Sequence, residues 1–313
     1  MPFEVTILGT SSMVPTKERN VQALFLERKG DGILFDCGEG TQRQMNIAGI
    51  NRNKVKTILL THWHGDHVAG LIGLLQTVGH QLGQKQDEYA VEKGEKATLN
   101  IYGPRGTEMH MAHLVRSVTF EQGKIDVKVH ELPMVQDKFY ENEEYELWCI
   151  PLKHSTPVLG YAFVEKDKRR MDMKRAEKLG LKPGRKIGQL QRGETVKHDG
   201  KEIAPEMVGS IVKGKKFTLI PDTKLCNEAI KLAEGSDLLV CESSFGSELE
   251  EKARKFRHLT AEHAASIAQQ AGAKRLILTH FSQRYKQVDA LVKEAKVLFP
   301  DVEAAFDLMK VKV

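Results

Sequence analysis

Short apolar runs alternate with longer amphipathic ones along most of this chain, and they predict strands and helices in turn. Residues 3–8, 23–27 and 32–36 read as strands, with a loop over 9–20 between the first two. Residues 38–48 read as a helix, 55–60 as a strand, and 68–78 as the helix behind it. A Gln-, Glu- and Lys-rich stretch over about 80–96 reads as a loop or linker. A strand at 98–102, a Gly-Pro turn and a helix to about 118 come next, then strands at 125–132, 144–152 and 160–164. The rhythm resumes with 217–220, 226–233, 238–241, 258–271, 276–279 and a helix over 288–298. Alternation in both halves predicts a layered α/β fold.

The pattern breaks once. Residues 165–201 carry 13 Lys+Arg against 6 Asp+Glu, so 13 − 6 = +7, more than the +5 of the whole chain. The stretch is glycine-rich and poor in large apolar residues, which predicts a projecting, flexible basic arm instead of a core element. The expected organisation is one domain over 1–313 with this arm inserted at 165–205. Composition agrees with a folded domain: at 313 residues and 41% hydrophobic, the chain can fill a sizeable core. The mild basic excess permits a nucleic-acid partner without demanding one. Cys37, Cys149, Cys226 and Cys241 are scattered and read as reduced thiols. The start lacks a basic region followed by an apolar core, and the most apolar helix candidate, 68–78, is too short to cross a bilayer. The expectation is a soluble, cytoplasmic protein with no membrane partner.

Chemistry concentrates at the end of the 55–60 run, in Thr61-His62-Trp63-His64-Gly65-Asp66-His67. Imidazole nitrogens and carboxylate oxygens are the donors that borderline ions such as zinc accept. Alternation along an extended segment sends His62 and His64 the same way. A turn at Gly65 can swing Asp66 and His67 toward an adjacent position, so the spacing suits two metals better than one. A His-x-His-x-Asp-His run after a strand resembles the metallo-β-lactamase superfamily. Three further polar residues directly follow apolar strands: His154, Asp222 and His280. Such strand ends are where α/β folds gather their sites. On this reading His62, His64 and His154 hold one ion, Asp66, His67 and His280 the other, and Asp222 bridges them. Zinc is the first expectation, two ions per subunit, with manganese or iron fitting the same donors. His110 and His113, three apart on one helix face, lack a third partner and read as surface. His80, His130, His198 and His263 read as solvated or satisfied.

Further pieces resemble the ribonuclease Z family in its short form, the endoribonucleases that remove the 3′ trailer from precursor tRNA. Pro15-Thr16-Lys17-Glu18-Arg19-Asn20 agrees with that family's Pro-x-Lys-x-Arg-Asn loop, and His258-Leu259-Thr260 stands where it has His-Ser-Thr. Glu242 stands for the glutamate of its His-Glu-Ala-Thr motif, and Ala305-Phe306-Asp307-Leu308 parallels its Ala-x-Asp-Phe ending. Gly180 to Gly188, Gly-Leu-Lys-Pro-Gly-Arg-Lys-Ile-Gly, resembles its tRNA-gripping exosite. Departures exist: Cys241 replaces the motif histidine, Pro221 precedes Asp222 where glycine is usual, Leu259 replaces serine, and Leu308 replaces phenylalanine. The arm has Arg185-Lys186 where Gly-Pro is common. None removes a proposed ligand or proton carrier.

The resemblance implies an αββα four-layer sandwich with an inserted basic exosite arm. It implies in-line attack on the scissile phosphorus, with Asp66 as ligand and base, and His258, oriented by Glu242, protonating the departing ribose 3′-oxygen. Lys17, Arg19, Asn20, Ser282, Arg284 and Tyr285 are the expected contacts near the cut, and Lys182, Arg185 and Lys186 those of the arm. A homodimer, with one subunit's arm presenting tRNA to the other's metals, is likewise implied. Two rivals remain at this stage: the same metal site acting on a small ester, thioester or phosphodiester, and an RNA-binding module whose metals are structural. A small substrate gives the arm no purpose, and seven ligands with intact proton carriers weigh against the second.

Overall fold

The computed structural model describes residues 3–85, 97–119 and 125–313. Two seven-stranded sheets carry the architecture. The first runs in the order Met309–Lys312, Glu4–Gly9, Ala23–Arg28, Asp31–Phe35, Val55–Leu59, Ala97–Gly103, Ile125–Glu131. The second runs Val302–Ala304, Leu276–Thr279, Leu238–Glu242, Lys216–Ile220, Leu159–Glu165, Tyr145–Pro151, Asp137–Glu141. The sheets are mixed. Parallel pairing joins Asp31–Phe35, Val55–Leu59, Ala97–Gly103 and Ile125–Glu131 in one, and Lys216–Ile220 through Val302–Ala304 in the other.

Aromatic side chains fasten one sheet to the other. The Phe35 ring meets Phe217 edge-on at 5.4 Å and Tyr161 at 6.4 Å, and Phe3 meets Phe163 at 4.8 Å. All five are fully buried, so replacing Phe35 by Ala is expected to cost about 3–5 kcal/mol. Buried polar bonds add register: Tyr161 Oη donates to the Leu60 carbonyl at 2.8 Å and the Leu159 N–H to Thr61 O at 2.9 Å. Strands covered on both faces carry apolar runs, as in Leu238–Glu242, where every residue is buried and only the last, Glu242, is polar.

Helices flank the sheets. Thr41–Ile47, Leu71–Lys85 and Thr107–Arg116 pack on the first, and Asn227–Ala233 and Ala261–Gln270 on the second, with Asp289–Lys296 against Ala261–Gln270. Ala261–Gln270 shows why its sequence folds this way. Ala261, Ala264, Ala265, Ile267 and Ala268 share one buried face. Thr260 and His263 close a capping box, Thr260 Oγ1 accepting from the His263 N–H at 3.1 Å and His263 Nδ1 from the Thr260 N–H at 3.3 Å.

Several expectations shift. The helix expected over 68–78 is two pieces, Gly65–Val68 and Leu71–Lys85, so the front of the expected linker is helical. Residues 86–96 of that linker lie outside the described residues. Strands at Asp137–Glu141, Val302–Ala304 and Met309–Lys312 were not expected; each is short, and pairing with neighbours sustains them where local pattern does not.

The chain forms two compact units, one of Met1–Tyr140, Leu147–Phe163 and Lys216–Val313, the other of Glu141–Glu146 and Val164–Lys215. The second contains residues 165–205, the stretch expected to be a coreless basic arm. It has its own small core of Ala176, Leu181, Ile187, Leu190, Val196, Ile203 and Val208. Helices Met173–Lys178 and Arg185–Gln191 and two paired strand ribbons surround it. Its apolar residues are few but spaced to converge, so sparse composition does not make it coreless.

Candidate metal centre

Every expected ligand sits at a strand end or just past one, in the first unit. His62 and His64 follow Val55–Leu59, and His64 caps the single turn Gly65–Val68 that bears Asp66 and His67. His154 follows Tyr145–Pro151, Asp222 follows Lys216–Ile220, and His280 follows Leu276–Thr279. Their donor atoms gather into adjoining groups: His62, His64, His154 and Asp222 in one, Asp66, His67 and His280 in the next.

Asp222 joins them. Its Oδ2 lies 3.7 Å from His62 Nε2 and 3.8 Å from His154 Nε2, while its Oδ1 lies 3.6 Å from His67 Nε2 and 3.3 Å from His280 Nε2. Asp66 Oδ2 completes the second group, 3.5 Å from His67 Nε2 and 3.4 Å from His280 Nε2. Donors about 2.0–2.1 Å from one tetrahedral ion stand roughly 3.3–3.4 Å apart, so these spacings suit ligation. The donors also need a partner. His67 Nε2, His154 Nε2, His280 Nε2 and Asp222 Oδ1 are buried and hydrogen-bond to nothing in the protein, a cost that a cation removes.

The far side of four of the five imidazoles, those of His62, His67, His154 and His280, is held through Nδ1, whereas His64 turns its Nδ1 toward His62 Nε2 at 3.0 Å. His67 Nδ1 lies 2.8 Å from Asp36 Oδ2, and Asp36 also accepts from the Thr61 N–H at 2.7 Å and Thr61 Oγ1 at 2.9 Å. His62 Nδ1 is 3.0 Å from Thr61 Oγ1, His280 Nδ1 3.0 Å from Ser244 Oγ, and His154 Nδ1 donates to Arg257 O at 3.0 Å. These bonds place a proton on Nδ1 and free Nε2 to ligate. Burial holds His62 well below its ordinary pKa and lowers His64 and His154, favouring the neutral imidazole a metal requires. At His67 burial pulls downward, but the carboxylates of Asp36, Asp222 and Asp66 outweigh it and raise the group to about 10. A metal ligated there would displace a proton, so its affinity would fall as pH falls.

Beside this cluster stands a second pair. Glu242 is fully buried, and both its oxygens lie 3.1 Å from His258 Nδ1. Ser244 Oγ and the Thr223 N–H donate to the same carboxylate at 2.7 and 2.8 Å, which fixes its plane. Burial lowers the His258 pKa, yet Glu242 and Asp222 together raise it to about 9. A buried carboxylate trained on one imidazole is unlike a surface ion pair. His258 borders a cavity of about 890 Å³, with His154, Asp66 and Asp222 also in its wall. Four non-glycine residues have φ between 57° and 68°, Met13 and Arg257 in the cavity wall and Asp36 and His280 at the cluster, a strain that concentrates at functional sites.

Family models agree with this layout: one described as the metallo-beta-lactamase superfamily matches residues 16–111, and one described as a beta-lactamase superfamily domain matches 188–281. A protein named Ribonuclease Z from Methanothermobacter thermautotrophicus is 42% identical over 313 residues, covering 99% of this chain and 97% of that one. The chain belongs to the ribonuclease Z family. Another ribonuclease Z, from Archaeoglobus fulgidus, is 36% identical and covers 100% and 98% of the two chains. Human tRNase Z, short form, superposes with a TM-score of 0.69 at 25% identity, covering 98% of each chain. The fold is therefore the metallo-β-lactamase fold, and the protein is an endoribonuclease of this family.

The expected ribonuclease Z substrate contacts are placed unevenly. Ser282 and Arg284 line the cavity. Arg19 is largely spent inside the protein: its guanidinium donates to Tyr285 O at 2.7 Å and Lys286 O at 3.0 Å, and lies 5.5 Å over Phe281. Asn20 Nδ2 donates to Glu39 O, and its N–H to Asp307 Oδ2. Tyr285 Oη donates to Glu248 Oε1 and accepts from the Gly246 N–H. These three brace the loops that carry the site. Lys17 is exposed, as are Lys182, Arg185 and Lys186 of the second unit, where Lys186 Nζ donates to Lys197 O.

Among the other histidines, His110 and His113 are exposed, with His110 stacked on Trp63. His130 meets Asn100 Oδ1 and His198 meets Gly180 O. The side chain of His80 lies outside the described residues. Sequence reasoning missed Asp36, Thr61, Ser244 and Arg257. Asp36 carried a usable signal, being a polar residue directly after the apolar strand Asp31–Phe35.

Proposed function

We propose that this protein is a dinuclear metal-dependent endoribonuclease that removes the 3′ trailer from precursor tRNA and leaves a 3′-hydroxyl. The observation that carries the reading is Asp222, whose Oδ2 addresses His62 and the unpartnered Nε2 of His154 while its Oδ1 addresses the unpartnered Nε2 atoms of His67 and His280. His62, His64 and His154 would hold one ion, Asp66, His67 and His280 the other, with Asp222 between them. Bound there, two ions would supply an activated nucleophile near neutral pH and offset charge during in-line displacement at phosphorus. Zinc suits the nitrogen-rich donor set best, and manganese or iron fits it as well.

The chain's own residues do the rest. Asp66, held by the Met13 N–H at 2.7 Å, keeps its carboxylate turned to the cluster and is the base. His258, with Nδ1 committed to Glu242, offers Nε2 to the departing 3′-oxygen and delivers its proton there. Arg284 and Ser282 meet phosphate at the rim. The inserted unit is the tRNA exosite, through Lys182, Arg185 and Lys186: its exposed cations favour backbone contacts to a folded RNA read by shape. Assembly as a homodimer in the cytoplasm completes the proposal, supported by the family resemblance. Among the described residues no helix is long and apolar enough to cross a membrane.

The decisive experiment incubates the protein with a 3′-extended tRNA transcript, with and without a chelator, and maps the new end. A single cut after the discriminator nucleotide, abolished by chelation and restored by added metal, is expected. Cleavage indifferent to the chelator, or none in the presence of metal, overturns the reading.

A further inference from the structure

The cavity over the ligand cluster is larger than the chemistry needs, and one wall has a character the ligands do not explain. Phe256 ends the helix Glu250–Phe256 with its side chain 49% exposed inside that wall. Lys252 and Lys255 come from the same helix, and Lys255 Nζ lies 6.0 Å over the Phe256 ring. Beside them Arg284 covers Phe245 at 5.2 Å from the ring centroid. An exposed phenylalanine costs free energy in a monomer, whereas an aromatic face flanked by cations is what an unpaired nucleotide uses for its base and phosphate.

We infer that Phe256 is the stacking platform for the base of the nucleotide that bears the leaving 3′-oxygen, with Lys252 and Lys255 facing its flanking phosphates. This rests on the proposed reaction, and it adds which nucleotide the wall grips. The order of the chain decides the side. His258, the proton donor to the 3′-oxygen, follows Phe256 by two residues, so their Cα atoms lie within about 7 Å. The base on that same ribose thus falls to the Phe256 wall. Phe245, the other ring in the cavity wall, is buried beneath Arg284, which leaves Phe256 as the exposed aromatic face. Arg257 keeps the wall in place. Its φ is 58°, its guanidinium donates to His154 O at 2.5 Å, and its own carbonyl accepts from His154 Nδ1. Stacking is indifferent to base identity, which suits a position that varies among tRNAs.

A double cycle tests this: native protein and Phe256→Ala, each on a 3′-extended tRNA and on the same transcript made abasic at the last tRNA nucleotide. Phe256→Ala should lower kcat/KM on the intact transcript roughly 5- to 150-fold, the usual range for one base–aromatic stack. The abasic substitution should cost the native protein a similar factor and the variant almost nothing further. Penalties that multiply would show that this base stacks elsewhere. Non-additivity with an abasic first trailer nucleotide instead would place Phe256 on the other side of the cut. Either result overturns the inference and leaves the proposed reaction standing. Native protein that fails to cut the intact transcript removes the reaction itself, and the inference with it. Phe256→Leu, which keeps apolar bulk without a π face, should behave like the alanine variant; full activity in it means that packing, not stacking, is the role.

Discussion

His258 and Glu242 show how much one buried contact decides. A histidine beside water titrates near neutrality; here burial is outweighed by two carboxylates, and the ring is held protonated to about pH 9. If it is the general acid, His258→Ala should reduce turnover on precursor tRNA by about 10²- to 10⁴-fold, with two metals still bound and tRNA affinity near native. Unchanged single-turnover rates would remove the role. Glu242→Gln gives a sharper check, because it removes the negative charge while keeping the shape. The group must be protonated to act, so activity falls as pH rises through its pKa. Losing the carboxylate lowers that pKa, and the alkaline limb of the rate profile should move down by about one pH unit or more. A limb that stays put would assign it to another group. Glu242 accepts from the Thr223 N–H on Oε1 and from Ser244 Oγ on Oε2, and glutamine, with a single carbonyl oxygen, can accept only one of them in that geometry, so some loss of rate at the optimum is also expected.

Among the elements, the inserted unit is the separable one. Asp167 closes its base, accepting from the Gly214 N–H at 3.0 Å and Lys213 Nζ at 2.7 Å, and the Glu165 N–H reaches Lys215 O at 2.9 Å. The two ends of the insertion therefore lie side by side, and a two- or three-residue turn can join them. Replacing 168–212 with such a turn should raise KM for precursor tRNA by about tenfold or more at physiological salt, since phosphate contacts supply much of the affinity. Hydrolysis of a small chromogenic phosphodiester should be spared. Equal losses on both substrates would mean that the unit supports the fold. The cut spares Asp167 and Lys213 and removes the small core whole, whereas a shorter deletion ending at 197 would strand Ile203 and Val208.

For the molecule as a whole, the proposed metal centre would tie metal binding to stability. Donors from both sheets meet at one place, His62 to His67 from the first and His154, Asp222 and His280 from the second. An unfolded chain cannot present them together, so bound metal stabilises the folded state by about 2.7 kcal/mol at a hundredfold excess over Kd. Chelation should thus lower the unfolding midpoint, and added zinc should restore it. A midpoint insensitive to both, with no metal found by elemental analysis, would leave the unpartnered nitrogens unexplained.

The sequence alone was enough to pick out the histidines and aspartates that the fold brings together, because strand ends are marked locally: an apolar run stops and a histidine or aspartate follows. That signal depends on neighbours in the chain, so it survives without coordinates, and the same rule applied to Asp36 would have added the residue behind His67. Most strands and helices were legible for the same reason. Pairing across the molecule was not: Met309–Lys312 exists because it lies antiparallel to Glu4–Gly9. Tertiary structure alone decided which side chains are spent. Arg19, Asn20 and Tyr285 look like substrate contacts in sequence, yet their polar atoms are committed to backbone and carboxylate partners up to 287 residues away. The arm's core and the facing of Asp222 between two histidine sets likewise arise only on folding, since hydrogen bonds and burial are settled by what the packed chain brings near, and sequence separation says little about that.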